Sequence, residues 1–196
     1  KYLIKNTGIL TISSFSTKIL TFLMVPLYTS VLTTEEYGTY DLAVSTVSLL
    51  IPILSVNIVD GVMRYSMDSR YDRADIFSIG LRRISVAAFI FAAILAANSV
   101  FHITNVFAGE ELLILLYFIS TLLYSLLTQF AKGCEAVKQM AIAGIISTVC
   151  LVGTNILLLL VFELGVTGFF IASCASQLIP AIYLAVRLEI WSYTHR

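Results

Sequence analysis

Few residues here could do chemistry, and those that could sit where an apolar chain would normally exclude them. Lys18 lies near the middle of the first long apolar run, Ile4 to Leu32. Ser14, Thr17, Lys18 and Thr21 recur at i, i+3, i+4, i+7, with Ser13 beside them, so on a helix they form one polar stripe that continues towards Tyr28. A lysine at a bilayer centre costs about 2.5–3.5 kcal/mol on insertion scales and normally faces a bundle interior or a watery cavity. A cation with flanking hydroxyls there suits an anionic ligand such as a phosphate. The competing reading shortens the span to 19–32 and lets Lys18 snorkel to the interface. A second group, Asn57, Asp60, Gly61 and Arg64, has the same spacing; Asp60 and Arg64 stand one turn apart and could pair. A substrate or gating role and a plain helix-end salt bridge both fit them. Asp41 could cap a helix or take part in gating.

Other chemistries are not represented. The two histidines, His102 and His195, stand apart, no His/Cys set has metal-ligand spacing, and no phosphate-cradling glycine loop or Ser/His/Asp set occurs. The expectation is no catalytic residue, no metal, no cofactor and no enzymatic activity. Three cysteines in apolar surroundings do not form a disulfide scaffold.

The elements that position these residues follow from composition. The 196 residues are 59% hydrophobic and 12% charged, with a mean hydropathy of +0.94. A soluble domain carries roughly 25% charged residues, so this chain cannot clothe itself for water. Twelve basic and twelve acidic residues leave no excess to neutralise nucleic acid. Charges punctuate the chain: 18 uncharged positions separate Asp41 from Asp60, 26 separate Arg83 from Glu110, 20 separate Glu111 from Lys132, 24 separate Lys138 from Glu163, and 23 separate Glu163 from Arg187. A span needs about 20. The pattern predicts an all-α integral membrane protein, a single six-helix bundle over 1–196 with helices near 6–32, 41–63, 82–101, 112–131, 140–162 and 166–187. The longest polar connection, 64–83, reads as a loop.

Lys1, Lys5, Arg64, Arg70, Arg73, Arg82, Arg83, Lys132, Lys138, Arg187 and Arg196 all fall on one side of those spans, while the opposite connections hold only Glu35, Glu36, Glu110, Glu111 and Glu163. Cytoplasmic loops retain the positive charge, so both termini are expected in the cytoplasm. Tyr37, Tyr40, Trp191 and Tyr193 read as interfacial anchors. Ala88, Ala92 and Ala96 read as a close-packing face, Gln129, Asn155 and Gln177 as interhelical hydrogen-bonding groups, and Pro26, Pro52 and Pro180 as kinks. Six helices with both ends inside make one lobe of a two-lobed alternating-access transporter, the second lobe lying beyond Arg196; a stand-alone six-helix protein is the alternative.

The segment Met24-Val-Pro-Leu-Tyr-Thr-Ser-Val-Leu-Thr-Thr-Glu-Glu-Tyr-Gly-Thr-Tyr-Asp41 resembles the first outer loop of the polysaccharide-biosynthesis flippases, the O-antigen-type translocases of the multidrug/oligosaccharidyl-lipid/polysaccharide exporter superfamily. Asn6-Thr-Gly and Asp60-Gly-Val-Met-Arg64-Tyr look similar too; beyond residue 65 the likeness is mainly in helix count and loop length. The resemblance implies the N-terminal lobe of a transporter in a bacterial or archaeal cytoplasmic membrane that turns over polyprenyl-pyrophosphate-linked oligosaccharide for O-antigen, capsule or exopolysaccharide. It implies lipid-linked oligosaccharide, membrane lipids, the C-terminal lobe, and polymerase and chain-length machinery as partners. Lys18 is the position matching the family's cationic cavity residues, with Ser14, Thr17, Thr21, Tyr28, Asn57 and Arg64 as further cavity candidates. The alternative is a proton- or sodium-coupled multidrug antiporter of the same superfamily, which would need an intramembrane carboxylate.

Overall fold

The computed structural model describes Phe22, Val25, Pro26, Tyr28 and residues 31–101 and 109–194. The helix expected near 6–32 therefore lies almost wholly outside the described residues. Those described contain α1 (Thr34–Ser55), α2 (Ile58–Ser66), α3 (Arg73–Phe101), α4 (Glu111–Gly133), α5 (Val137–Asn155), α6 (Gly165–Arg187) and the short α7 (Trp191–Thr194). A π-helical segment, Ile156–Val161, prolongs α5. Five of these helices, counting α5 with its extension, are long and apolar enough to cross a membrane.

The span expected at 41–63 begins earlier and is broken. Thr33 and Glu36 form a capping box, the Glu36 N–H donating to Thr33 Oγ1 (3.2 Å) and the Thr33 N–H to Glu36 Oε2 (2.8 Å), so α1 starts at Thr34 and Asp41 is not its cap. Pro52 leaves the last turns without one backbone donor, and Val56 (φ 52°) and Asn57 (φ 49°) are both left-handed. Their N–H groups fold back to the carbonyls of Ile53 (3.3 Å) and Pro52 (3.0 Å), closing α1 before α2 begins. Asn tolerates this conformation; a β-branched residue such as Val56 does so only under strain.

The connection expected to be a loop between Arg64 and Arg83 is largely helix. Only residues 67–72 turn, where Arg70 pairs with Asp68 at 2.6 Å and holds that carboxyl below its ordinary range. Arg73 Nε donates to the Ser66 carbonyl at the end of α2 (3.3 Å), placing a cation at a helix C-terminus. At 29 residues α3 is about 44 Å long, well beyond the ~30 Å of hydrocarbon. Arg82 and Arg83, within this helix, are exposed.

Close approach and aromatic contact hold the bundle together. Phe91 stacks on Phe118 (4.3 Å, 27°), and Phe130 meets both Phe77 (4.9 Å) and Tyr193 (5.4 Å). The packed face of α3 is Gly80, Ile84, Ala87, Phe91 and Leu95, whereas Ala96 is exposed and Ala88 and Ala92 only half-buried. The alanine stripe is thus displaced from the contact, because the ring that stacks on α4 belongs to Phe91. A β-carbon on Gly133 would meet the Met63 carbonyl at 2.8 Å and Ser66 Cβ at 2.6 Å; the missing side chain is what lets α2 and α4 touch.

The two ends of the bundle differ in charge. Glu110 accepts from Thr167 (3.0 Å), and Glu36 reaches the start of α6 at Gly165. Glu35, Glu36, Glu110, Glu111 and Glu163 thereby share one end, and the described lysines and arginines lie at or near the other.

Gly133→Ala should destabilise the protein by about 1–3 kcal/mol through overpacking against backbone, read as a lower melting midpoint in detergent. Gly153→Ala, whose β-carbon would meet nothing within 4 Å, should be neutral or mildly stabilising. Equal shifts for the two would refute the α2–α4 contact.

Candidate functional site

A polar strip runs along the middle of α1. Taking about 100° per residue, Asp41, Ser45, Ser48 and Pro52 fall within one arc of about 60°, and all four are exposed. Leu42, Leu49 and Ile53, 48%, 67% and 66% exposed, occupy the neighbouring arc. One helix therefore shows two different surfaces side by side, one that lipid can cover and one that it covers only at a cost. Asp41 stands two turns inside α1, about 10 Å from Thr34 at 1.5 Å per residue. The ring of its neighbour Tyr40 packs on Phe169 (3.6 Å) and Phe170 (5.6 Å) of α6.

The strip leads to the break at Val56–Asn57. Beyond it, Asp60 accepts from Asn57 Nδ2 (2.8 Å) through one oxygen and from Gln129 Nε2 (2.7 Å) through the other. The expected Asp60–Arg64 pair is not made: two carboxamides occupy the carboxylate, and Arg64 points to solvent. Gln129 fulfils its expected interhelical role, tying α2 to α4, but leaves its own Oε1 buried and unpartnered. A carboxylate bonded to neutral donors keeps its charge uncompensated, so this end of the strip retains Asp60 and Arg64 as separate charges of opposite sign.

A column of hydroxyls on α4 completes the polar surfaces. Tyr117, Thr121, Tyr124 and Thr128 recur at i, i+4, i+7, i+11 and are half-buried. The Tyr117 phenol lies beside Thr121, the Tyr124 phenol beside Thr128 and Ser147 of α5, and the Tyr40 phenol beside Ser173 of α6. The Thr121 hydroxyl donates back to the Tyr117 carbonyl (2.7 Å). Three polar side chains deep in the helices, Gln129, Asn155 and Gln177, each keep a buried amide oxygen without a hydrogen-bond partner. Asn155 is fully buried and spends its Nδ2 on its own helix, at the Leu151 carbonyl (2.8 Å), where α5 gives way to the π-helical segment.

Of the residues singled out in the sequence, Lys18, Ser14, Thr17 and Thr21 lie outside the described residues. Tyr28 is 5% exposed and packs edge-on to Phe169 at 4.3 Å, with Leu32 and Leu159. Asn57 and Asp60 are brought together; Arg64 and Asp41 stand free of them. The α1 strip and the α4 column escaped the sequence reading, although both repeat at 3.6-residue spacing. Among the described residues no group of three or more His, Cys, Asp or Glu could hold a metal ion.

If Asp60 and Gln129 clamp α2 to α4, a double-mutant cycle with Asp60→Ala and Gln129→Ala should give a coupling of about 1 kcal/mol in unfolding stability. Strict additivity would dissolve the clamp.

No curated protein and no solved structure matches the chain. The family of polysaccharide biosynthesis proteins matches it over residues 3–195. That match spans nearly the whole chain, and with apolar helices long enough to cross a membrane it identifies a multi-pass membrane protein belonging to the polysaccharide biosynthesis protein family.

Proposed function

We propose that this chain is one lobe of a two-lobed alternating-access flippase, which carries polyprenyl-pyrophosphate-linked oligosaccharide across the cytoplasmic membrane for surface polysaccharide assembly. The observation that carries the reading is the exposed polar strip of α1, within a helix long enough to cross the bilayer. A carboxylate facing hydrocarbon costs about 2.5–3.5 kcal/mol or more, and such residues face a water-filled path instead. A pyrophosphate and its sugars need that kind of path, while the carrier's hydrocarbon tail can stay in lipid. Residues of the strip and of the α4 column would hydrogen-bond sugar hydroxyls, and the phenol rings would offer apolar faces to them. Lys18, with Ser14, Thr17 and Thr21, would supply charge for the pyrophosphate, and Arg64 would meet it at the basic end. The chain transforms no bond in this account, so no residue is assigned a catalytic role.

The separation of acidic and basic ends supports six spans with both termini in the cytoplasm, the basic end inward. The second lobe would face the α1 strip and close the path. The polymerase and chain-length machinery would take up the product on the far side. One observation favours the antiporter reading as well: Asp41 stands inside α1 rather than at its start, where a coupling carboxylate would be useful. The two readings differ in cargo and can be separated by it.

In cells lacking the full-length parent protein, lipid-linked oligosaccharide should accumulate with its sugar facing the cytoplasm, as read by sidedness-specific glycosidase access. The wild-type gene should reverse this. Ser45→Leu with Ser48→Leu, and separately Lys18→Ala, should lower turnover about tenfold at normal abundance. Normal sidedness with altered drug sensitivity would replace the flippase by the antiporter. For topology, cysteines placed at Glu35 and Glu110 should react with an impermeant maleimide from outside and one at Arg70 only after permeabilisation; the reverse pattern would invert the lobe.

A further inference from the structure

The exposed side of α3 combines an apolar ridge with two positive charges. Counting about 100° per residue, Ile79, Val86 and Ile90 fall within one arc of about 40°, and all three are exposed. Arg82 and Arg83 flank this ridge, one on each side, and are exposed as well. Beyond Arg83 the helix bears no further charge. Its uncharged part, 84–101, covers about 27 Å, close to the ~30 Å of hydrocarbon. The two arginines therefore stand where that part begins, at the basic end of the bundle.

Little nearby compensates them. Neither makes an ion pair with a described residue. On α3 the nearest acid is Asp75, exposed and about 10 Å further along the axis towards the helix start. The short helix α7 is docked beside them, the Ser78 hydroxyl donating to the Tyr193 carbonyl (3.4 Å). The chain entering α7 brings Arg187 and Glu189, one charge of each sign, so it leaves the sum unchanged. Trp191 of α7 is exposed at this same end, and an indole suits headgroup depth.

The charge selects the occupant. Acyl chains lie along Val86 and Ile90 whatever head they carry, so the tails discriminate nothing. A zwitterionic head brings its own ammonium, whereas an anionic head brings the net charge that two arginines lack. Guanidinium forks match phosphate oxygens, and two adjacent arginines can serve one phosphate. The ridge between them offers no hydroxyl or amide to a sugar, unlike the α1 strip, which favours a resident bilayer lipid over a glycosylated cargo.

We propose that Arg82 and Arg83 hold the phosphate of an anionic phospholipid of the phosphatidylglycerol kind, in the leaflet at the basic end. The bound lipid neutralises the pair and fixes the depth at which α3 sits. The inference is independent of what the protein carries.

The test titrates the full-length protein in detergent with phosphatidylglycerol or phosphatidylethanolamine of identical chains, bound lipid being counted by native mass spectrometry. Phosphatidylglycerol should bind about twentyfold more tightly, roughly fivefold for each arginine. Arg82→Gln and Arg83→Gln should each remove about fivefold of that preference. Lys138→Gln, exposed at the same end on α5, should leave it unchanged. Equal affinity for the two lipids, or an equal loss at Lys138, would overturn the site. Displacement of the bound phosphatidylglycerol by equimolar undecaprenyl phosphate would give the pair to a polyprenyl cargo and overturn the phospholipid. If the arginine variants fail to insert, p-benzoylphenylalanine at Val86 decides. In a bilayer holding both lipids equally it should capture mainly phosphatidylglycerol, while the same group at the exposed Ile145 of α5 captures both; equal capture at Val86 would overturn the site.

Discussion

Hydrocarbon gives apolar side chains no reason to leave it, and that constraint governs everything else in this bundle. Leu, Ile and Phe gain nothing by moving from lipid tails to a neighbouring helix, so Phe89, Ile145 and Val149 remain exposed without penalty. Cohesion has to come from close contact and from polar groups that cannot face lipid. The structure uses both in one place. Gly133 lets α4 touch the backbone of α2, and Gln129 holds Asp60 one turn away. Stacked and edge-on rings at Phe91–Phe118 and Phe77–Phe130–Tyr193 supply the remaining contact through shape and dispersion.

The same constraint turns exposure into functional information. In a soluble protein, exposed serines and an aspartate on a helix would be ordinary. On α1 they mark a side that water or another part of the protein must cover, and the adjacent leucines mark the side that lipid covers. The helix thus stands at a boundary. Its break at Val56–Asn57 lies where that boundary reaches the basic end, and the Asp60 clamp fixes the direction in which α2 continues.

Much of this architecture was legible because charge is so sparse. Spans bounded by Glu111, Lys132, Glu163 and Arg187 match α4 and α6 within two residues, since charge brackets both of these helices. The motif at 24–41 and the ending Asp60-Gly-Val-Met-Arg64-Tyr sufficed to identify the family. Other features were hidden for identifiable reasons. The α1 start lies at the Thr33–Glu36 capping box, seven residues before the charge that seemed to open the span. The α1–α2 break falls on Val and Asn, neither of which announces a stop as Gly would. The 64–83 segment looked like a loop because it is charged, yet apart from residues 67–72 those charges decorate helix. Which face of α3 packs was decided by Phe91, and one-dimensional spacing could not weigh a ring against a row of alanines. That Asp60 would choose Gln129 over Arg64 depends on how α4 lies, which pairwise spacing within α2 does not contain.

The central claim is that the polar strip of α1 faces a watery path and its apolar neighbour faces lipid. Single cysteines scanned from residue 41 to 53 in the full-length protein, in native membranes and without its own three cysteines, test this directly with a small impermeant maleimide. The account predicts rapid labelling at the positions of Asp41, Ser45 and Ser48 and little at those of Leu42, Leu49 and Ile53. Uniformly slow labelling, or labelling with the two sets exchanged, would contradict it.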